Sequence, residues 1–357
     1  MPADSDDLIA RDEKKLSDGF SHNLEPLEPF NVAEACSADA LLKQLAQTSF
    51  GGRTLGRAAD VLYEMVADPT CLVVGTFSGA MTIAKMGLLL SDMIDREMLG
   101  AVVSTGALLC HGLVEQTGNT HFRHDPKFSD EDLFNAGYDR VFDTLELEKN
   151  LYDAEATLMR ALRSMDADES FGSFELCRRL GEQLREADDR RGILQSAAAR
   201  DVPVYVPAFT DSELGLDVFT YNYVGKRLGS HTPVRFDPMR DLLDFYERVN
   251  AAESLGIFTI GGGVPRNWAQ QVAPLGEVLN HRSGGKFGRL TRFKYAVRIC
   301  PEPAHWGGLS GCTYSEGVSW GKFYPASQGG RFAEVICDAT IAWPVLVRGV
   351  LERLGRV

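Results

Sequence analysis

The chain has 357 residues, of which 44% are hydrophobic and 24% charged, enough to bury a large core in one big domain or two smaller ones. A formal net charge of -13 argues against nucleic acid or anionic membrane as partners, since both recruit cationic surfaces, and is compatible with cationic ligands. The seven cysteines are odd in number and form no CxxC pair, which fits a reduced, cytoplasmic setting better than a disulfide framework.

In chain order, residues 1–30 are polar and charged and read as a flexible N-terminal arm, with no apolar stretch of a secretory signal at the start. No apolar run reaches bilayer length; the longest candidates, such as residues 99–109, are short and broken by glycine and polar residues. Residues 31–357 then repeat one rhythm: a short apolar run, a turn rich in Gly, Ser or Thr, and a helical pattern. The runs fall at residues 71–75, 101–103, 204–206, 257–260, 295–300 and 333–337. The first leads through Thr76-Phe77-Ser78-Gly79-Ala80 into an apolar helix, and the last into a closing helix ending near Leu354. Residues 153–200 are charged and amphipathic and predict helices packed outside the sheet. The stretch with Arg282, Lys286, Arg289, Arg292 and Lys294 predicts a solvated basic loop. Buried strands alternating with helices predict a Rossmann-like, doubly wound, mostly parallel α/β sheet in a single large domain. Ligands bind such sheets at the carboxyl ends of the strands, where these polar, glycine-rich turns fall.

Chemistry is suggested most by Ser315-Glu316-Gly317-Val318-Ser319-Trp320-Gly321-Lys322. A lysine in an apolar, aromatic setting loses basicity and offers a neutral amine for imine formation, and an indole face suits a cationic ligand. The same turn can also present an exposed lysine at a strand edge.

The segment Val318-Ser319-Trp320-Gly321-Lys322 resembles the nucleophile segment of the deoxyhypusine synthase family. Four further motifs resemble that family in the same order: Phe50-Gly51-Gly52-Arg53-Thr54-Leu55-Gly56-Arg57-Ala58, Pro207-Ala208-Phe209-Thr210-Asp211-Ser212-Glu213-Leu214-Gly215, Gly261-Gly262-Gly263-Val264, and Asp338-Ala339. The resemblance implies NAD as cofactor and Lys322 as a covalent nucleophile. A four-carbon amine unit would be oxidised next to its nitrogen, carried on Lys322 as an imine, passed to an acceptor amine and reduced again. It places Ser78, Gly79, Thr105, Gly106, Asp211, Gly262, Asp338 and Ala339 at cofactor-binding positions, and Glu316 and Trp320 at the substrate. It also implies a homotetramer acting on polyamine-like small molecules. No GxGxxG is present, so NAD rests on the resemblance alone.

The sequence departs from the family in places that bear on substrate. Asn267 stands where the family carries a histidine base, His111 where it carries a carboxylate, and Leu309 and Leu216 at usual acidic positions, with Asp217 one step beyond. His305, in the loop at Trp306, is a candidate replacement base, so Asn267 and His305 join the substrate-side residues. Gly308-Leu309-Ser310-Gly311 is similar to a bacterial deoxyhypusine-synthase-like branch that uses small-molecule acceptors. The expected activity is therefore transfer of an aminobutyl or guanidinobutyl unit from spermidine, putrescine or agmatine to a small amine, giving a homospermidine- or bis-guanidino-type product. The alternatives are deoxyhypusine synthesis on a translation-factor lysine, an NAD-linked amine dehydrogenase without lysine loading, and a non-catalytic polyamine-binding member. His121 and His124, with His111 ten residues earlier, are candidate metal ligands; with no further ligand spacing in support, no metal is expected. Cys312 reads as packing.

Overall fold

The computed structural model describes residues 15–166, 168–187, 190–308 and 312–357. Six strands form one parallel sheet: β1 Cys71–Phe77, β2 Ala101–Ser104, β3 Val204–Tyr205, β4 Ser254–Ile260, β5 Tyr295–Ile299 and β6 Arg331–Val335. They coincide with the six apolar runs. Continuous Val, Ile and Phe segments suit strands covered on both faces, since neither face must be polar. The spatial order is β3-β2-β1-β4-β5-β6, the doubly wound arrangement expected from the sequence. The centre is the longest pairing, β1 against β4, in register from Cys71↔Ser254 to Phe77↔Ile260.

Alternation along the strands feeds two cores. Phe77, Val102, Phe258, Ile260, Val297 and Val335 face one side and pack with Leu62, Met65 and Trp343. Val74, Ala101, Val103, Ile257 and Ala296 face the other and pack with Phe245, Val249, Ala269, Tyr314 and Phe323. The amphipathic stretch forms the helices Glu148–Arg163, Ser173–Ala187 and Ile193–Ala199, whose apolar stripes close the first core. The basic stretch is a loop that follows helix Val272–Arg282. Among the described residues no helix is long and apolar enough to cross a membrane.

Two small sheets were not anticipated. Thr144–Leu147 pairs antiparallel with both Phe122–Arg123 and Tyr138–Val141, and Ser170–Phe171 pairs parallel with Arg235–Phe236.

Candidate active site

The strand order reverses between β1 and β4, the switch point at whose carboxyl ends open α/β sheets hold their ligands. Two turns meet there. Ser78, directly after β1, donates its backbone N–H to Ile260 O at 3.1 Å. Its hydroxyl donates to the carbonyl of Gly262 and accepts from Gly262 N. Gly79 has φ +70°, and a side chain there would meet nothing within 4 Å; the backbone needs glycine for its conformation and faces open space. Thr105 follows β2, caps helix Gly106–Gln116 and donates its hydroxyl to Gly79 O at 2.6 Å. Gly262 caps helix Gly263–Gln270 after β4. Asp338 follows β6 and caps helix Ala339–Leu354, accepting from Thr340 N at 2.7 Å. Asp211 follows β3; it is exposed, its backbone N–H bonded to Ala208 O. The strands are parallel, so all these residues share one edge of the sheet. On the same edge a cleft of about 740 Å³ is lined by the loop from Ala80 to Lys85, by His121 and Phe122, by Val141 to Thr144, and by Asp338 and Thr340.

Lys322 lies on the face of the second core. Thr313 caps helix Tyr314–Ser319, accepting from Glu316 N, and Trp320 closes it. Gly321, at φ +69°, then reverses the chain, a conformation that glycine adopts without strain. The turn is fixed by Lys322 N donating to Gly317 O at 3.1 Å and Lys322 O accepting from Phe293 N at 2.9 Å. Lys322 is only 9% exposed. Its Nζ donates to Asn267 Oδ1 at 3.2 Å and lies 5.9 Å from the centre of the Trp320 indole. Burial pulls its pKa below the ordinary lysine value; Cys312 opposes this, and the Arg266 guanidinium adds a smaller push in the same direction as burial. Asn267 stands four residues along the helix from Gly263, a rise of about 6 Å, so one side chain connects the lysine to the switch-point turn.

The structure thus joins Lys322, Asn267 and Trp320, and separately Ser78 with Gly262 and Thr105 with Gly79. Other expectations fare differently. Trp320 is 67% exposed, so it covers rather than encloses the lysine. Glu316 is exposed; burial together with its carboxylate pushes up the pKa of Cys312, which places those two side chains side by side. His305 is exposed, with its ring edge-on to Trp306 at 6.4 Å. Leu309 and its neighbours Ser310 and Gly311 lie outside the described residues. Leu216 points to solvent, and Asp217 turns into a small pocket with Cys110, Glu155 and Glu213, where burial and the two glutamates push it up to about 6. His121 does not pair with His124, whose Nε2 instead lies 3.4 Å from Phe128 O; it pairs through Glu146 with His111. Glu146 carries no motif and was missed.

A doubly wound sheet with polar turns at its switch point and a buried lysine of lowered basicity defines a Rossmann-like α/β protein. The family model described as deoxyhypusine synthase matches residues 40–350, and the chain belongs to the deoxyhypusine synthase family. It is 34% identical to "Probable deoxyhypusine synthase 2" of Archaeoglobus fulgidus over 86% of this chain and 96% of that protein. It is 32% identical to the Methanosarcina acetivorans protein of the same name, over 94% and 91%, and 29% identical to the "Deoxyhypusine synthase-like protein" of Chlorobaculum parvum, over 90% and 88%. The fold is shared with a crystal structure from Entamoeba histolytica whose own description proposes a deoxyhypusine synthase, at TM-score 0.58 and 14% identity over 90% and 96% of the two chains.

Proposed function

We propose that the protein is an NAD-dependent transferase that moves a four-carbon amine unit through an imine on Lys322 to a small acceptor amine. The observation that carries the reading is the buried Lys322 Nζ, bonded to Asn267 one helical turn from the switch-point glycines. The switch-point residues suit a dinucleotide. Gly79 leaves room for close backbone approach, helix Gly263–Gln270 begins at the switch-point turn, and Asp338 lines a cleft on the same edge as a ribose acceptor. Ser78, Thr105, Gly106, Asp211, Gly262 and Ala339 complete that set. When bound, NAD would accept a hydride from the amine-bearing carbon of the donor and return it to the product, leaving no net redox change.

The chain's own residues supply the rest. Lys322, its basicity lowered by burial, attacks the imine carbon of the donor as the free amine and expels the leaving amine; the acceptor amine then displaces Lys322. Asn267 fixes the direction of the amine lone pair. It cannot exchange a proton as a histidine would, so proton transfer falls to the amines themselves or to His305. Trp320 and Glu316 form the open wall that receives the alkyl chain and its cationic end. Spermidine, putrescine and agmatine are the donors of this shape. The protein acts as a homo-oligomer of tetramer type in the cytoplasm, with residues 31–357 as the catalytic domain behind an arm of residues 1–30. Support for self-association comes from an exposed stripe of Leu216, Phe219, Tyr223, Val224 and Leu228 on helix Glu213–Leu228.

A panel of donors and acceptors with NAD, analysed for products by mass spectrometry, tests the reading. New polyamines from small acceptors support it. Modification of a translation-factor lysine alone moves the acceptor to protein, and NADH accumulation without transfer rejects the lysine-borne step.

A further inference from the structure

Away from Lys322, three side chains from distant parts of the chain meet around one point. His111 comes from helix Gly106–Gln116, His121 from the segment that follows it, and Glu146 from the middle strand of the three-stranded sheet. Glu146 Oε2 lies 2.5 Å from His111 Nδ1 and 3.0 Å from His121 Nε2. The three ligand atoms all fall within 4.8 Å of one another, the one such group of His, Cys and carboxylate among the described residues. The His121 and Glu146 side chains are 0% and 1% exposed and that of His111 15%. The two imidazole rings are splayed at 67° about the carboxylate. Glu146 Oε1 is buried with no hydrogen-bond partner, an arrangement that is costly for a charged oxygen unless something further fills the position.

We propose that His111, His121 and Glu146 bind a divalent transition-metal ion, zinc first among them. Two imidazoles and one carboxylate form a three-ligand set that leaves a fourth tetrahedral position for water. With metal–ligand bonds of about 2.0–2.1 Å, tetrahedral ligand atoms stand roughly 3.3 Å apart, so the two glutamate–histidine distances need to widen by less than an ångström. A water at that fourth position can donate to the unpartnered Oε1.

Without the ion, Lys85 Nζ donates to His121 Nδ1 at 2.7 Å and holds Glu115 Oε1 at 2.5 Å. That leaves the proton of His121 on Nε2, facing Glu146. Metal binding moves this proton to Nδ1 and that of His111 to Nε2, with no net proton release. Lys85 then turns wholly to Glu115, whose Oε1 is 4.0 Å from His121 Nδ1 and can become the carboxylate behind the metal-bound imidazole. The ion would tie the small sheet to helix Gly106–Gln116, and His121 itself lines the cleft beside Asp338. The site therefore shapes that wall. It does not rest on the transferase reading.

The test uses the full chain after chelation, titrated with Zn²⁺ alone by calorimetry and with Co²⁺ by absorption. The expected result is one equivalent per chain, a tetrahedral cobalt spectrum, and a Zn²⁺-dependent rise in Tm. Glu146→Gln and His121→Asn should each weaken binding about a hundredfold or more, beyond the 10- to 100-fold cost typical of losing an outer-shell partner, and abolish the Tm rise. Lys85→Met keeps all three ligands and should bind Zn²⁺ at least as tightly as the wild type, which keeps the proposal open to refutation even if a ligand variant fails to fold. Less than about a fifth of an equivalent bound, binding retained in both ligand variants, or weaker binding in Lys85→Met would each overturn the site.

Discussion

Replacing Asn267 by aspartate should switch off the amine of Lys322 without removing it. The amide oxygen lies 3.2 Å from Nζ. Two unit charges at that distance attract by about 5 kcal/mol at an effective dielectric constant near 20. After solvent relaxation, a facing carboxylate commonly shifts a neighbour's pKa by about 1–3 units. In the wild type, burial holds Lys322 below its ordinary value; in Asn267→Asp the pKa rises by that amount, and each unit cuts the neutral amine tenfold at a fixed pH below it. Competitive labelling with acetic anhydride across pH, read on the Lys322 peptide by mass spectrometry, measures this without substrate or cofactor. The wild-type midpoint should fall below 10.5 and that of the variant should lie at least one unit higher. Identical midpoints, or a wild-type midpoint at the ordinary lysine value, would refute the reasoning.

Lys322→Met, which removes the buried amine, should stabilise the protein at neutral pH. The sign follows from the lowered pKa: between the folded and unfolded values the unfolded chain binds more protons, so wild-type stability rises with pH through that window, and urea denaturation at several pH values should show this slope shrinking in the variant. Gly106→Ala would put a Cβ 2.0 Å from Ser212 Oγ, an overpacking that costs about 1–3 kcal/mol; Ser212→Gly should recover most of the loss in a double-mutant cycle, and additive effects would contradict the clash. Asp338→Asn should keep the helix cap on Thr340 N yet weaken NAD binding about tenfold in calorimetry, since a neutral amide is a poorer acceptor for ribose hydroxyls; unchanged affinity would move the ribose elsewhere.

What the sequence revealed follows from where each residue's environment is encoded. The six parallel strands were legible because strands covered on both faces must be apolar throughout, as in Leu72-Val73-Val74 and Ile257-Phe258. The Gly-rich turns after them fell on one edge of the sheet because parallel strands leave no choice of side. The small sheet was hidden for the opposite reason. Tyr138–Val141 is largely exposed, and Thr144–Leu147 buries both Leu145 and Glu146, so neither shows the alternation of a half-covered strand. Glu146 became visible only when folding brought it against His111, 35 residues away, and His121, 25 residues away. At Lys322 the motif pointed to the residue but not to its surroundings. The expected indole wall is mostly solvent-exposed, and the close partner is Asn267, which the sequence marked as a substitution for histidine on the substrate side and not as a partner of the lysine.

The central claim is that carbon passes through Lys322. Incubation of the full chain with NAD and each candidate donor, borohydride quenching and peptide mass analysis tests it most directly. The expected result is a four-carbon amine or guanidine adduct on Lys322 that needs both NAD and donor and disappears when an acceptor amine is added before the quench. NADH formed from a donor while Lys322 stays unmodified would contradict it.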